Sequence, residues 1–215
     1  MKKCENKYRM LSKEDKTSLF ILSAPSGTGK SSLIKHLIQS EKNIELSVSA
    51  TTRPPRDGEI NAEHYFFISK EEFDDLKNKN AFLEHATVYN HQYGTLRSYV
   101  EKKINANINL ILDIDTQGFK QIKESNIVST SIFILPPSII ELEKRLIERN
   151  LDSNDVIKLR LENAKKELDM AYEYDCIVLN DDFNRAFEAL KSIIFFKKEI
   201  QDDTQNKKIL RDLLS

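Results

Sequence analysis

The sequence predicts an α/β fold in which helices cover a parallel β-sheet. Short apolar runs without alternation, the first at Leu19–Ser23, have the pattern of strands that are buried on both faces. A segment with helical spacing of its apolar residues follows each of these runs. Residues 50–98 interrupt this rhythm, so we expect a mixed α/β insertion there.

Apolar spacing and helix start signals predict the elements of the first half. After the first strand, the apolar residues Leu33, Ile34, Leu37 and Ile38 recur at helical spacing. The stretch 50–63 is too rich in Pro and Arg for regular structure. The other predicted elements are a strand over 44–49, a strand over 65–68, a helix with a capping box at 69–72, strands within 82–89, and a helix with a box at 98–101 that ends near 105–107.

The second half of the chain returns to alternating strands and helices. Apolar β-rich runs at 110–112, 132–135 and 177–179 are each followed by helical spacing. A third capping box lies at 138–141, and an apolar stripe over 183–194 predicts a closing amphipathic helix.

Length and composition limit the possible functions. The 215 residues fit one domain of ordinary size, or a core with insertions. With 33 basic and 34 acidic residues the formal net charge is −1, so no overall field attracts nucleic acid or an acidic membrane. Two cysteines and the lack of a long apolar run predict a reducing, cytoplasmic location, and residues 1–16 are predicted to be a polar tail.

The strongest functional motif is Gly27-Thr28-Gly29-Lys30-Ser31, between a predicted strand and a predicted helix. Small residues let successive backbone N–H groups surround a polyphosphate, and the helix N-terminus adds partial positive charge. We assign Ser26 to Ser32 to ATP binding, with Lys30 reaching the β and γ phosphates and the Ser31 hydroxyl holding Mg²⁺. The usual first glycine is replaced by Ala24, which disfavours a positive φ there.

Asp113 ends an apolar run, as the acidic residue of a Walker B motif does. Two interpretations stay open: it holds Mg²⁺ through water, or it orients Lys30 or a loop. The four histidines offer no rival metal site, because they show no ligand spacing and no partner cysteines.

Arg53 and Arg56 lie three residues apart in a loop that contains Pro54 and Pro55. A guanidinium group offers a planar set of donors that meets phosphate oxygens bidentately, and prolines reduce the entropy lost on ordering the loop. Alone, the pair would indicate a solvated loop with two incidental arginines. Four further motifs stand beside it: Tyr-Gly-Thr at 93–95, Asp-Ile-Asp-Thr-Gln-Gly at 113–118, Pro-Pro-Ser at 136–138 and Asn-Asp-Asp at 180–182.

With these motifs the sequence resembles the guanylate kinases, P-loop enzymes that phosphorylate GMP from ATP. The resemblance covers about residues 19–198. It implies ATP and GMP or dGMP as substrates, Mg²⁺ as cofactor, and a three-layer P-loop kinase core with a parallel sheet. The parts that it implies are the core at 17–49, 99–142 and 166–215, a mixed α/β GMP-binding region at 50–98, and a helical lid at 143–165.

The resemblance also implies roles for acceptor-side residues. The GMP phosphate would be held by Arg53, Arg56, Tyr65 and Tyr93, and the guanine or its surroundings would be faced by Ser49, Glu84, Thr95 and Asp115. A carboxylate at position 84 makes chemical sense, because it accepts from both N1–H and the exocyclic amine of guanine, a donor pair that adenine lacks. Such polar mismatch discriminates by roughly 10⁴. The alternative for Glu84 is an exposed strand residue.

Donor-side roles follow from the same resemblance. Arg145, Arg149 and Arg160 would close over the phosphates and act in catalysis with Lys30 and Arg56, and Asn180 with Asp181 would contact the adenine. An added arginine is worth about 10³ to 10⁵ in rate. A solvated helix face and a capped turn are the respective alternatives. Asn150-Leu151 stands where many members have Gly, which bears on lid motion.

The resulting prediction is in-line phosphoryl transfer without a covalent protein intermediate. The alternative from another class is a binding module, since some guanylate kinase-like domains of scaffold proteins have lost catalysis. Such domains typically have a broken P-loop, whereas Lys30 and Ser31 are present here. A monomer and a homodimer both stay open, as do the role of the tail and the preference between GMP and dGMP.

Overall fold

The fold is described from a computed structural model that covers residues 19–88, 90–125, 127–148, 154–196 and 203–214. In chain order its elements are β1 (Leu19–Ser23), α1 (Lys30–Ser40), β2 (Ile44–Leu46), β3 (Ala50–Thr51), β4 (Phe66–Phe67), α2 (Lys70–Asn78), β5 (Phe82–Val88), β6 (His91–Leu96), α3 (Arg97–Asn105), β7 (Asn109–Asp113), α4 (Thr116–Glu124), β8 (Thr130–Leu135), α5 (Ile139–Glu148), α6 (Asn154–Asp169), a 3₁₀ helix (Met170–Glu173), β9 (Cys176–Leu179), α7 (Phe183–Phe196) and α8 (Asp203–Leu214).

The central sheet has five parallel strands in the order β2-β7-β1-β8-β9. Successive residues of β1 point to opposite faces, so Leu19 and Ile21 pack in one core while Phe20 and Leu22 pack in the other. This burial on both faces explains why the strand lacks alternation. Helices α3, α4, α6 and α8 contribute to the first core, and α1 and α7 to the second. The three layers confirm the predicted α/β fold class.

A second sheet, in the order β4-β3-β6-β5, lies within the segment between β2 and α3. Strand β3 pairs in parallel with β4 and antiparallel with β6. The prediction that 50–63 lacks regular structure is therefore wrong at its first two residues, because pairing with distant strands decides their conformation. Phe73 of α2 is buried and stacks on Phe82, with 4.5 Å between the ring centroids.

Two of the three predicted capping boxes mark the start of a helix. The box at α2 is complete, since the side chains of Ser69 and Glu72 each accept the other's backbone N–H. At α5 only half of the box forms, with the Glu141 N–H donating to Ser138 Oγ at 3.0 Å. Both helix starts are consistent with the sequence prediction.

The box predicted at Ser98 is wrong. Helix α3 begins at Arg97, and its N-cap residue is Leu96 rather than Ser98; Leu96 makes no side-chain cap. The Arg97 N–H instead donates to the Ala81 carbonyl at 2.9 Å, a contact that links the helix start to the segment before β5. A tertiary hydrogen bond thus replaces the local cap that the sequence suggests.

The C-terminal part contains one helix more than predicted. Helix α7 has the expected buried stripe, but α8 follows it, so α7 is not the closing helix. Leu210 and Leu213 of α8 pack in the first core, and Asn206 Nδ2 donates to the Ile177 carbonyl at 2.9 Å. The predicted tail at 1–16 lies outside the described residues. Within the described ranges, no helix combines the length and apolarity needed to cross a membrane.

Candidate active site

The loop between β1 and α1 has the backbone of a phosphate-binding loop. Gly27 and Gly29 have φ of 92° and 97°, values in the left-handed region that favours glycine. Gly29 is the N-cap of α1, so the helix N-terminus opens directly from the loop. Ala24 is not among the residues with positive φ, and a glycine is not needed there.

Tertiary packing also requires small residues in this loop. A Cβ at Gly27 would lie 3.0 Å from Leu146 Cδ2 of α5, and one at Gly29 would lie 2.6 Å from Asn180 Nδ2. The same Asn180 amide donates to the Thr28 carbonyl at 2.7 Å, and Asn180 is 5% exposed. The residue predicted to contact adenine therefore supports the loop from beneath in this structure.

Lys30, the first residue of α1, is held by an ion pair. Its Nζ lies 2.6 Å from Asp113 Oδ1 and 3.4 Å from the Ile114 carbonyl oxygen, which it contacts as a donor. The ion pair is consistent with the interpretation in which Asp113 orients Lys30, and the interpretation in which it holds Mg²⁺ through water stays a prediction. Ser31 and Ser32 are exposed in the first turn of the helix.

Two of the three predicted lid arginines reach the loop. Arg145 of α5 donates to the carbonyls of Thr28 at 3.3 Å and Asn180 at 3.4 Å, and it pairs with Glu141 at 3.0 Å. Arg160 of α6 donates to Ser26 Oγ at 2.9 Å. The third, Arg149, lies outside the described residues, as does the Asn150-Leu151 pair.

The turn after β9 is occupied by local hydrogen bonds. Asp181 pairs with Arg185 at 2.8 Å. Asp182 Oδ1 accepts the Arg185 N–H at 2.9 Å, which is the predicted cap of α7.

The predicted phosphate residues of the acceptor side meet around Arg53. Its guanidinium makes two hydrogen bonds to the Glu59 carboxylate, at 2.9 and 2.8 Å, and lies 5.4 Å from the centroid of the Tyr65 ring. The Tyr65 and Tyr93 rings are 6.0 Å apart, edge to face. The exposed Arg56 joins this group through its backbone: its N–H donates to Glu59 Oε2 at 2.7 Å, and its carbonyl accepts the Glu59 N–H at 3.0 Å.

The sequence predictions did not include Glu59. Its position after Arg53 and Arg56 and before His64 could have indicated an acidic partner for an arginine. Hydrogen bonds from the Arg53 side chain and the Arg56 backbone lower the pKa of Glu59 to about 2. Glu59 is therefore ionised at neutral pH and occupies the donor fork of Arg53 that a phosphate would use.

Glu84 lies in the interior rather than on an exposed strand face. It is 5% exposed, and its Oε1 accepts from Thr95 Oγ1 at 2.5 Å, opposite it on β6. Burial raises the pKa of Glu84 to about 7, and nearby Asp115 adds to the shift while Thr95 opposes it. Asp115 caps α4 by accepting the Gly118 N–H at 2.8 Å. Ser49 is half-buried immediately before β3.

One cleft of about 760 Å³ joins the loop to the insertion. Among its lining residues are Ser26, Gly27, Gly29, Lys30, Ser31, Tyr65, Asp113, Asp115 and Arg160. Several predicted site residues lie outside this lining, namely Arg53, Arg56, Glu84, Tyr93, Thr95, Arg145, Asn180 and Asp181.

The cleft also contains residues of α6 that sequence reasoning missed. Asn163 and Glu167 follow Arg160 at spacings of three and seven, which place all three on one helix face. Burial raises the pKa of Glu167 to about 7, and Asp115 raises it further while Lys30 opposes the shift. The same helical spacing in the sequence could have indicated this face.

Comparison with known proteins identifies the family. The guanylate kinase family model matches residues 16–197. The guanylate kinase of Rickettsia felis is 46% identical over 186 residues, covering 86% of this chain and 97% of the relative. That of Escherichia coli strain K12 is 47% identical over 179 residues, covering 82% of this chain and 86% of the relative.

A solved structure agrees with these relatives. The crystal structure of guanylate kinase from Anaplasma phagocytophilum has a TM-score of 0.66 and 28% sequence identity, covering 91% of this chain and 94% of that one. The resemblance inferred from the motifs is confirmed. The chain belongs to the guanylate kinase family of enzymes.

Proposed function

We propose that this enzyme transfers the γ-phosphoryl group of ATP to GMP, and also to dGMP, by direct in-line attack of the acceptor phosphate. The family assignment supports ATP-dependent phosphorylation of GMP to GDP. The single observation that carries the proposal is the cleft, because one cavity is lined by the P-loop residues and by Tyr65 and Asp115. A donor and an acceptor nucleotide in that cavity would meet at their phosphates.

The donor phosphates would lie on the P-loop. The loop would offer backbone N–H groups and the Lys30 ammonium to these phosphates. The residues that we assign to this binding are Ser26, Gly27, Thr28, Gly29, Lys30, Ser31 and Ser32. Arg160 already lies at the loop mouth, and we assign it, with Arg145 and Arg149, to charge stabilisation in the transition state. Asn180 and Asp181 remain our proposal for the adenine side.

The acceptor phosphate would be held by Arg53, Arg56, Tyr65 and Tyr93. Arg53 would exchange Glu59 for the phosphate, because both present two oxygens to the same guanidinium fork. The base would lie against Ser49, Glu84, Thr95 and Asp115, where the Glu84 carboxylate accepts two guanine N–H groups. Burial makes this recognition selective, since adenine would leave the charge unpaired.

The residues present fit a Mg²⁺ ion that arrives with ATP. Mg²⁺ usually keeps several waters and takes one or two protein oxygens beside the phosphates. The Ser31 hydroxyl and the Asp113 carboxylate line the cleft and could supply such oxygens, the latter through water. Within the described ranges no cluster of three or more His, Cys, Asp or Glu side chains would hold a metal by itself. When bound, Mg²⁺ would neutralise charge on the β and γ phosphates.

We also propose the division into a core, a GMP-binding region at 50–98 and a lid at 143–165, with the reaction in the cytoplasm. The lid assignment is supported by α5 and α6, which carry Arg145 and Arg160. Closure of this segment would exclude water from the cleft before transfer.

A coupled assay with GMP, dGMP, AMP and UMP tests the proposal. We expect turnover with GMP and dGMP and a loss of about 10⁴-fold in kcat/KM with AMP. Equal activity on AMP and GMP would refute the assignment of the base site. Lack of turnover with GMP in the presence of Mg²⁺ and ATP would refute the proposed reaction.

A further inference from the structure

Gln121 of α4 makes a paired contact with the strand that carries Glu84. Its Oε1 accepts the His85 N–H at 3.1 Å, and its Nε2 donates to the His85 carbonyl at 2.8 Å. The contact spans 36 positions of sequence and joins the insertion to the core. Both hydrogen bonds are made to one residue, so they constrain the orientation of the strand as well as its distance.

The position of β5 explains why this contact is needed. β5 lies at the edge of the order β4-β3-β6-β5, so no strand of the described residues pairs with the peptide groups on its outer side. A glutamine side chain presents one acceptor and one donor in a plane, as a peptide group does. Gln121 thus takes the place of the missing strand at His85.

The clamped peptide bond is the one next to the proposed recognition residue. The N–H that Gln121 binds belongs to the peptide bond between Glu84 and His85, so it limits rotation of the backbone at Glu84. Gly118, one turn earlier on α4, leaves the space for the carboxylate, since a Cβ there would lie 2.6 Å from Glu84 Oε2. Asp115 precedes both residues as the N-cap of the same helix.

We propose that Gln121 is a positioning residue for guanine recognition. It holds the backbone of Glu84 against α4, while Gly118 admits the carboxylate, so that the two oxygens face the base. The inference rests on the proposed function, in which Glu84 accepts from guanine. Gln121 touches neither substrate nor reacting atoms in this assignment.

A double-mutant cycle with Glu84→Gln and Gln121→Met tests the proposal. The readout is the ratio of kcat/KM for GMP to that for IMP, whose base lacks the exocyclic amine. We expect Gln121→Met to lower this ratio by about tenfold, the effect of two lost hydrogen bonds. The KM for ATP should stay within about twofold of the wild type. In the Glu84→Gln background, Gln121→Met should change the ratio little, because its effect acts through Glu84.

The outcomes separate this inference from the function on which it rests. If Glu84→Gln leaves the ratio unchanged, the proposed base site is wrong, and the positioning role is overturned with it. If Glu84→Gln lowers the ratio but Gln121→Met does not, or lowers it equally in both backgrounds, only the positioning role is overturned. A parallel rise in the KM for ATP would indicate general structural damage and would also overturn it.

Two further variants keep the test decisive. Gln39→Met makes the same chemical change at an exposed position of α1 and should leave every parameter unchanged. If Gln121→Met gives little folded protein, Gln121→Glu replaces it in the cycle, because its carboxylate retains the acceptor for the His85 N–H and loses only the donor. A ratio unchanged in Gln121→Glu would then count against the proposal.

Discussion

The P-loop and the insertion prepare their charged groups in different ways. In the loop, Gly27 and Gly29 set the backbone by their φ angles, and Arg160 and Lys30 already lie at the cleft. In the insertion, Arg53 is paired with Glu59, and it is not among the residues that line the cleft. The P-loop side is thus formed without ligand, whereas on the insertion side the phosphate that we propose to bind at Arg53 would have to replace Glu59.

The two regions also differ in how they hold a carboxylate. Asp113 beside the loop is paired directly with Lys30. Glu84 in the insertion is buried, its hydrogen bonds come from the hydroxyl and the backbone of Thr95, and its pKa is raised to about 7. A paired carboxylate organises a cation, and a buried one that lacks a cation suits a ligand with N–H donors. The following predictions test this contrast, beginning with the largest effect.

Lys30→Met should reduce kcat by about 10³-fold, because it removes the cation that would stabilise the negative charge that develops on the transferred phosphoryl group. The melting temperature should change little, since the partner Asp113 remains partly exposed. Steady-state kinetics and thermal unfolding check both parts. Lys35→Met, at an exposed position on the same helix, is the matched control. An unchanged kcat would remove Lys30 from the mechanism.

Gly118→Ala should raise the KM for GMP strongly while the fold is retained. The new Cβ would displace the Glu84 carboxylate, and misplacement of about 1 Å can cost on the order of 10² in rate. Alanine itself is favoured over glycine inside a helix by about 1 kcal/mol. Steady-state kinetics with GMP and with ATP measure the change in each KM, and thermal unfolding measures the change in stability. A normal KM for GMP would show that the carboxylate tolerates the displacement.

Glu59→Gln should lower the KM for GMP by up to about fivefold, because it removes the carboxylate that would compete with the phosphate for the Arg53 guanidinium. The ratio of kcat/KM for GMP to that for IMP should not change, since the base site is separate. A higher KM would indicate that Glu59 orients Arg53 rather than competing with the phosphate. Glu63→Gln, at an exposed position of the same loop region, serves as the control.

Glu84→Gln should stabilise the ligand-free protein above neutral pH. Between the ordinary pKa of 4.5 and the folded value of about 7, the folded protein keeps a proton that the unfolded chain has lost. Stability from this group is therefore present at low pH and is lost as the pH rises through about 7. Glutamine does not titrate, so the melting temperature of the variant should exceed that of the wild type by a few degrees at pH 8.

Thermal unfolding at pH 5 and pH 8 measures this difference. The contribution of Glu167 cancels in the comparison, because both proteins contain it. Glu124→Gln, exposed on α4, should show the same pH dependence as the wild type. A difference in melting temperature that is constant with pH would contradict the raised pKa of Glu84.

The predictions from sequence succeeded where a feature depends on neighbours in the chain. The capping box at Ser69 depends on contacts within a few residues, and the P-loop depends on the φ preference of glycine. The buried strands pair with distant strands, but a continuous apolar run marks each of them in the sequence. At Ala24 the motif usually has a glycine, but the backbone there does not adopt a positive φ, so alanine fits. The capping box at Ser98 failed because Arg97 found a partner outside its own segment.

By itself the sequence determined the α/β fold class, the P-loop with Lys30, and the residue types that suit a phosphate and a guanine. These are encoded locally, as periodicity, spacing and side-chain chemistry. Only the tertiary structure decided that Arg53 binds Glu59, that Asn180 lies beneath the loop, and that Gln121 holds the strand of Glu84. The last two contacts join residues that are 152 and 36 positions apart. Partners at such separations are chosen by the packing of whole elements, which no local pattern records.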